Sequence, residues 1–497
     1  MARELKMILR SLDTKWLLVI ILFISIFAMA AHEVTNTDLW WHLATGKYIW
    51  ETRSVPRQDI FSHTAFGNRW IDHSWLSQVV IYLSYRAFGF GGLALLAAAI
   101  ITLVFFLTFL GSSGHLYIRV FATLLGALAS AITWEMRPHL FSFLLAAVFL
   151  FILFLYKECQ RNYLFLLPLL MFLWANSHSG YIAGFILVGL LLVGEGAKHL
   201  FGSPQGRIEA RRWKQLLIWG SISLAVVVLN PNTFRLYLYP FQTASIGPLK
   251  NLSEWASPNF HLLQFHPFIW MLLLSMVTLG LSAKRADLTD LLYLLVFGYI
   301  SLLAARNISL FALVATPVVA KYGSLAWRSW HGGEEPPTGV RPQGWQLPLN
   351  WFILLLVLAG CIIKVSPTLT QSANLAAQKR TLPYEAADFL ARNDLPQELF
   401  NSYNWGGFLI WRLYPQYRVF IDGRTHLYGE EVLEEYLGAY WASSQWREPL
   451  ERYDINSIII EKDSTFATLL TESPNWQQVY ADELAVVFAR VGGVIFS

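Results

Sequence analysis

Long apolar segments separated by short polar connections dominate the chain up to about residue 366. Eleven segments approach the roughly 20 residues that a helix needs to cross a bilayer, and they lie at 15–33, 75–110, 116–133, 140–156, 163–176, 181–197, 214–229, 266–283, 288–304, 306–321 and 349–366. The segment at 75–110 exceeds one span, and Gly89, Gly91 and Gly92 predict a break between an interfacial piece and the span itself. The pattern predicts a polytopic α-helical membrane protein with about 11 transmembrane helices.

The composition supports this class of protein. Hydrophobic residues make up 55% of the chain and charged residues 14%, with a mean hydropathy of +0.44. A soluble protein of this length cannot bury so much apolar surface. The net charge of +4 is small, and the basic residues stand between apolar segments, which is typical of membrane topology rather than of nucleic-acid binding. Cys159 and Cys361 have no nearby partner, so no disulfide framework or cysteine metal site is expected.

The basic residues also predict an orientation. They fall in alternate connections, at Lys6, Arg10 and Lys15, at Lys157 and Arg161, at Lys198, Arg207, Arg211, Arg212 and Lys214, at Lys284 and Arg285, and at Lys321 and Arg328. By the positive-inside rule these connections are cytoplasmic. We therefore expect a multi-pass protein of the cytoplasmic (inner) membrane, with its N-terminus on the cytoplasmic side and residues 367–497 on the outer side. Ala28-Met29-Ala30 also fits a signal-peptidase site, an alternative that leaves the later sidedness unchanged.

The tail at 367–497 differs from the membrane part at 1–366, because it is charged and free of long apolar segments. Its patterns predict amphipathic helices at 382–393 and 429–440 and buried strands at 418–421, 457–460 and 485–488. Alternating strands and helices indicate a small extracytoplasmic α/β domain. A cytoplasmic linker is expected at 322–348, where glycines and prolines concentrate after residue 331.

Mixed polar residues gather in the connections predicted to lie outside, whereas the cytoplasmic ones carry little besides Lys and Arg. The outer groups are Asp38, His42, Asp59, His63, Asp72 and His73 in the first connection (34–74), then Glu135, Arg137 and His139, then Asn176, Ser177 and His178, then Asn230 to Glu254 and Trp255, and finally Arg306 and Asn307. If the helices form a bundle, these connections converge on one outward cavity. The apolar segments contain few ionisable residues, which disfavours an ion-coupled transporter.

Asp38 and His42 follow the first apolar segment, within the stretch Asn36-Thr37-Asp38-Leu39-Trp40-Trp41-His42. Four residues apart, they share one face of a helix. Three interpretations of Asp38 remain open: a chemical role, simple N-capping of a helix that begins at Leu39, and pairing with a partner. The first two are also open for Asp72, whereas Asp59 is expected to be solvated.

Arg137 and Arg306 depart from the positive-inside trend and call for an anionic partner, such as a lipid phosphate. The alternative is a structural ion pair of Arg137 with Glu135 or Asp72. His139 and His178 are either hydrogen-bonded core residues or ligands. A divalent cation is possible, but no spacing defines its ligands, which stay unknown.

The stretch 35–42 resembles the first extracytoplasmic loop of the GT-C superfamily of membrane glycosyltransferases, which includes protein O-mannosyltransferase-like and aminoarabinose-transferase-like enzymes. The tail is similar, more loosely, to the oligosaccharyltransferase catalytic subunit, through Ser402-Tyr403-Asn404-Trp405-Gly406-Gly407. This motif lacks the Asp and one Trp of that family, so recognition of a glycosylation sequon does not carry over.

The resemblance implies an inverting transfer of sugar from a polyprenyl-phosphate donor to a lipid, glycan or protein acceptor, with membrane lipid but no nucleic acid as a partner. It places Asp38 at the catalytic centre as the general base, with Asp72 or Glu135 as a second acid. Arg137 and Arg306 would stabilise the leaving phosphate. The other expected substrate-binding residues are His139 and His178, Trp41, His42 and His73, and, as exposed-loop candidates of the tail, Asn404, Trp405, Asp422 and Arg424.

Two other functions remain open on the sequence. A transporter or flippase of lipid-linked saccharide needs a hydrophilic path through the bundle. A non-catalytic membrane assembly protein needs only an outer docking domain, and its outer acidic residues would be dispensable.

Overall fold

A helical bundle followed by a small α/β domain makes up the computed structural model, which describes residues 12–201, 207–244, 254–331, 345–393 and 395–491. Each predicted apolar segment coincides with a helix, and these helices are Thr14–Ala30, Trp75–Leu110, Leu116–Ser130, His139–Lys157, Leu167–Ser177, Ile182–Leu200, Ala210–Val226, His266–Leu281, Leu288–Leu303, Ile308–Trp330 and Gln346–Thr368. Among the described residues, seven helices are long and apolar enough to cross a membrane. The fold class is therefore confirmed, whereas eleven crossings stay a prediction.

The long helix Trp75–Leu110 is interrupted at the predicted place. Gly89 has φ 64° and ψ −159°, which is not a helical conformation. Glycine adopts it readily because it has no Cβ. Two residues later, a Cβ on Gly91 would lie 2.4 Å from the carbonyl oxygen of Leu369. Because Gly91 has no side chain, the chain that leaves the last helix of the bundle can pass close to this helix just after the break.

The C-terminal domain is built on a four-stranded sheet of order β1-β2-β4-β3, with β1 at Leu399–Asn401, β2 at Ser457–Glu461, β3 at Trp476–Ala481 and β4 at Ala485–Arg490. β1 and β2 are parallel, and the other neighbours are antiparallel. Its helices are Gln371–Gln378, Tyr384–Asn393, Gly406–Leu413, Gly429–Tyr440, Arg447–Arg452 and Thr465–Glu472. Gly406–Leu413 packs against Leu39–Thr52, which joins the domain to the first connection of the bundle.

The predicted strand at 418–421 is wrong. These residues make only isolated bridges, of Val419 with Ser62 and of Arg418 with Glu398. The Asn401 side chain instead accepts a hydrogen bond from the Phe420 backbone N–H (2.8 Å) and donates one to the Ile421 carbonyl (2.9 Å). The segment is buried, as its apolar residues predicted, but it serves to join the sheet to the first connection.

Arg424 forms a buried clamp between the bundle and the C-terminal domain. Its guanidinium contacts Asp59 of the first connection at 2.5 Å and Asp422 of the domain at 2.6 Å, and all three side chains are fully buried. The guanidinium also lies 4.6 Å from the centre of the Trp70 ring. The expectation that Asp59 is solvated is therefore wrong, because its charge is neutralised inside the protein.

Buried ion pairs lie at the opposite end of the bundle, among residues expected to be simple basic anchors. Lys198 contacts Glu195 at 2.7 Å and Asp287 at 2.5 Å, and Lys157 contacts Asp287 at 2.8 Å. The Glu195 side chain has no solvent exposure. The expectation of little besides Lys and Arg at this end is therefore wrong, since Lys157 and Lys198 both pair with Asp287, which precedes another helix.

The predicted linker is partly helical. Ile308–Trp330 continues through residues 322–330, and Gln346–Thr368 begins before residue 348. Residues 332–344, which hold most of its glycines and prolines, lie outside the described residues.

Replacing the clamp residue should destabilise the protein strongly. Arg424→Met leaves the carboxylates of Asp59 and Asp422 buried without a cation, and we expect a loss of about 3–5 kcal/mol of unfolding free energy. The matched control is Arg412→Met, because Arg412 pairs with Asp388 near the surface and should cost at most about 1 kcal/mol. Thermal unfolding in detergent measures both, and equal losses would contradict a special role for the clamp.

Candidate functional site

A cavity of about 600 Å³ lies between the bundle and the C-terminal domain. All five connections predicted to lie outside contribute to its wall, as the sequence led us to expect. Its polar lining includes Asp38, Trp41, His42, His73, Glu135, Arg137, His139, His178, Tyr239, Glu254, Arg306, Tyr403, Asn404, Gly423, Arg424 and His426. Residues far apart in sequence thus form one enclosed polar site.

Asp38 occupies the N-cap position of helix Leu39–Thr52, yet its side chain makes no capping hydrogen bond. Its Oδ2 instead accepts from Arg137 at 2.7 Å. The backbone N–H of Asp38 donates a hydrogen bond to Oδ1 of Asn36 at 2.9 Å. The capping interpretation of Asp38 is therefore wrong for the side chain, which belongs to the cavity.

Arg137 is surrounded by three carboxylates. Asp38 lies at 2.7 Å, Glu254 at 2.8 Å and Glu135 at 3.4 Å from its guanidinium nitrogens. Glu254 also contacts Arg306 at a longer 3.5 Å, and the Arg306 guanidinium lies 4.3 Å from the centre of the Trp255 ring. Both terminal nitrogens of Arg137 are thus engaged by carboxylates, whereas Arg306 keeps 30% of its side chain exposed to the cavity.

The pKa values of the two carboxylates closest to Arg137 are shifted in opposite directions. Burial raises the pKa of Asp38, and the attraction of Arg137 only partly offsets that. Burial also acts on Glu254, but the charges of Arg137 and Arg306 outweigh it and lower the pKa of Glu254 to about 2. Asp38 is therefore the better proton acceptor of the two.

Asp72 lies behind the cavity wall rather than in it. Gln78 links it to the cavity, because the Gln78 amide nitrogen donates to Asp72 Oδ1 at 3.0 Å and lies 3.3 Å from Nδ1 of His42. Burial raises the pKa of Asp72 to about 7. Asp72 is thus connected through Gln78 to the lining residue His42, but it does not itself line the cavity.

The histidines of the cavity are held in their neutral form. Burial lowers the pKa of His73 to about 4 and that of His426 to about 3. The pKa values of His42 and His178 are lowered well below their ordinary value for the same reason. This part of the wall therefore offers hydrogen-bonding groups without charge.

The tail residues expected in an exposed loop are mostly buried. Asn404 is exposed and lines the cavity. Trp405 is buried and donates to the Thr381 carbonyl at 2.8 Å, outside the cavity. Asp422 and Arg424 are fully buried and pair with each other in the clamp. Exposure was wrongly expected for these three because a turn sequence does not reveal what packs on it.

Several lining residues were not singled out from the sequence. Glu254 stood in a connection recognised as polar, and Tyr403 stood in the motif 402–407, so both had a signal. Gly423 and His426 had none, since they enter the site only when the C-terminal domain closes on the bundle. A Cβ on Gly423 would lie 2.0 Å from Asp38 Oδ1, so any side chain there would displace the Asp38 carboxylate.

No set of three or more His, Cys, Asp or Glu side chains is arranged to hold a metal ion in the described parts of the chain. The acidic residues of the cavity are gathered around the Arg137 guanidinium instead. The ligands of a divalent cation thus stay undefined.

No protein-family model and no curated protein matches the sequence. Solved structures do match. The oligosaccharyltransferase AglB from Archaeoglobus fulgidus, in complex with an inhibitory peptide and a dolichol-phosphate, has a TM-score of 0.55 and 11% identity, with 90% of this chain and 69% of AglB covered. The chain has the GT-C fold. The resemblance stated from the first connection is thereby confirmed for the fold.

Two further GT-C structures are similar at lower scores. ArnT from Cupriavidus metallidurans bound to undecaprenyl phosphate has a TM-score of 0.47 and 12% identity, with 96% of this chain and 97% of ArnT covered. The arabinofuranosyltransferase AftD from Mycobacteria has a TM-score of 0.49 and 14% identity, with 96% of this chain and 40% of AftD covered.

Asp72 should make the stability of this protein depend on pH. Because its pKa is raised from 3.8 to about 7 in the folded state, the stability it contributes is complete below pH 3.8 and is lost as the pH rises through about 7. Asp72→Asn removes this loss, so the unfolding free energy of the variant relative to wild type should increase by about 2–3 kcal/mol from pH 5 to pH 8.

Thermal unfolding in detergent at several pH values measures this difference. The control is Asp454→Asn, because the Asp454 side chain is 80% exposed and makes one distant ion pair. Its profile should parallel that of wild type. A parallel profile for Asp72→Asn as well would show that Asp72 is ionised in the folded protein.

Proposed function

We propose that this protein is a membrane glycosyltransferase that moves a sugar from a polyprenyl-phosphate donor to an acceptor hydroxyl or amine, with Asp38 as the general base. The observation that carries the proposal is the cavity in which Asp38 faces Arg137 and lies near Arg306 under the C-terminal domain. The dolichol-phosphate bound to AglB supports a lipid phosphate as the class of donor.

The transfer needs a base for the acceptor and a cation for the leaving group. Asp38 accepts the acceptor proton while the acceptor oxygen or nitrogen attacks the anomeric carbon. The bond from that carbon to the phosphate oxygen breaks, and the phosphate leaves with the electron pair. This single displacement inverts the anomeric centre.

Arg306 is the residue that we assign to the phosphate. Among the described residues, its only carboxylate contact is the distant one to Glu254, and part of its side chain is open to the cavity. Guanidinium groups suit phosphate, since they donate two parallel hydrogen bonds. Arg137, held by three carboxylates, acts instead as a positioning residue that orients Asp38.

The alternation of basic connections favours a site on the outer face of the cytoplasmic membrane. Donor lipid could then reach the cavity from the outer leaflet, with the acceptor entering beneath the C-terminal domain. A flippase or an assembly protein would not need the carboxylate of Asp38, which separates these alternatives experimentally.

Asp38→Asn should abolish transfer but keep donor binding. Purified protein in lipid nanodiscs would be incubated with a panel of polyprenyl-phosphate sugars and candidate acceptors, and product measured by mass spectrometry. Loss of the base should lower the rate by about 100-fold or more. Glu135→Gln is the matched control, since Glu135 contacts the same arginine from farther away and is half-exposed. Equal product from Asp38→Asn and wild type would remove Asp38 as the base.

The pH profile provides a second check on Asp38. Since burial raises its pKa, the rate should fall with decreasing pH through a value above 3.8. A rate that stays constant down to the ordinary carboxyl pKa would contradict the assignment.

Gly423→Ala should impair transfer without unfolding the protein. The new Cβ would lie 2.0 Å from Asp38 Oδ1, so the carboxylate must move away from its place beside Arg137. We expect a fall in kcat of about 10-fold or more, since small misplacements of reacting groups are costly. Gly360→Ala, where nothing lies within 4 Å of the added carbon, should leave activity unchanged. Wild-type kcat in Gly423→Ala would refute close packing over Asp38.

A further inference from the structure

Four aromatic side chains, here called the imidazole wall, line one part of the cavity. They are His73, His178, Tyr239 and His426, and they come from three different connections of the bundle and from the C-terminal domain. The His73 ring lies 4.5 Å from that of Tyr239, 5.8 Å from that of His178 and 6.3 Å from that of His426, measured between ring centres. Asp38, the proposed general base, and Arg306, which we assign to the phosphate, are not part of the imidazole wall.

The hydrogen bonds of His178 fix the position of its proton. Its Nδ1 accepts from the Gly180 N–H at 3.0 Å and lies 2.8 Å from the Ser142 hydroxyl oxygen. That hydroxyl receives a hydrogen bond from Trp174 Nε1 at 2.7 Å and can therefore donate to the imidazole. With Nδ1 accepting, the neutral ring carries its proton on Nε2, where it can donate to a ligand.

His426 presents a similar group from the opposite side. Its Nδ1 lies 3.1 Å from the Tyr239 hydroxyl. Its Nε2 is buried and has no hydrogen-bond partner among the described residues. A buried polar atom without a partner costs free energy that a bound ligand can recover.

The imidazole wall contains no charged side chain, since burial keeps its histidines neutral. The charges of the cavity belong instead to the group around Arg137 and Arg306. Arg306 is close enough for its charge to lower the pKa values of His73 and His178. Arg306 and the imidazole wall also line the same cavity, so a ligand whose phosphate binds Arg306 can reach the wall with its next atoms.

We propose that the imidazole wall is the subsite for the sugar ring of the donor and that this sugar carries no charge. This inference rests on the proposed glycosyltransferase function. Sugar hydroxyls can accept from Nε2 of His178 and can donate to or accept from Nε2 of His426, and the flat rings can pack on the apolar face of a pyranose or furanose. An ammonium or carboxylate on the sugar would be buried among neutral groups without a counter-ion, which is unfavourable.

Two substitutions test the wall while keeping its internal hydrogen bonds. Asparagine places a polar atom near the position of a histidine Nδ1 and has nothing at the position of Nε2. His426→Asn can therefore still bond to Tyr239, and His178→Asn can still accept from Gly180. His261→Asn is the control, because His261 is exposed and lies outside the cavity.

Binding would be measured on the full-length protein in nanodiscs by scintillation proximity. The probes are undecaprenyl phosphate, the same lipid bearing a neutral hexose or pentose, and the same lipid bearing glucuronate or an amino sugar. We expect a neutral sugar to tighten wild-type binding about tenfold over the sugar-free lipid. His426→Asn and His178→Asn should lose this gain and keep the affinity for sugar-free lipid, whereas His261→Asn should resemble wild type.

The outcomes separate this proposal from the one on which it rests. Failure of wild type to bind undecaprenyl phosphate, or unchanged binding in Arg306→Gln, would overturn the proposed donor class. If lipid binding is intact, tighter binding of a charged sugar would overturn only the uncharged subsite. The uncharged subsite would also be overturned if both asparagine variants lost affinity equally for sugar-free and sugar-bearing lipid while their thermal unfolding stayed as in wild type.

Discussion

The buried contact of Arg424 with Asp59 and Asp422 is the interaction on which the site depends. One acid comes from the first connection of the bundle and the other from the C-terminal domain, so this pair of contacts sets how the two parts meet. A buried cation between two carboxylates is costly to break, because each partner would be left charged in a place without water. The same contact holds Gly423 against Asp38, which closes the cavity over the candidate base.

Charge inside the cavity is arranged in two parts with different tasks. Around Arg137 and Arg306, opposite charges are close together; they lower the pKa of Glu254 to about 2, whereas burial keeps the pKa of Asp38 raised. Along the imidazole wall, burial removes charge from the histidines and leaves only hydrogen-bonding groups. A donor lipid has the same division, since an anionic phosphate is joined to a sugar. In the proposed function, each half of the cavity matches one half of that ligand.

Asp38 shows how local sequence reasoning can point to a residue and still leave its role open. The position before Leu39 fits a helix N-cap, and the structure does place Asp38 there. The side chain nevertheless turns to Arg137, which is 99 residues away in sequence. Asp59 and Arg424 show the reverse case. Their sequence contexts suggested solvent-exposed turns, yet both are fully buried, because the two turns cover each other.

The sequence by itself determined the membrane class, the helical segments, the break at Gly89 and the separate α/β tail. These properties follow from apolar length, periodicity and glycine, which act over a few neighbouring residues. It also identified the first connection, Arg137 and Arg306 as places of interest. Only the tertiary structure decided that Glu254, Gly423 and His426 join them and that Asp72 stands behind the wall. Those facts depend on how distant segments pack, and no local pattern of residues encodes such a distance.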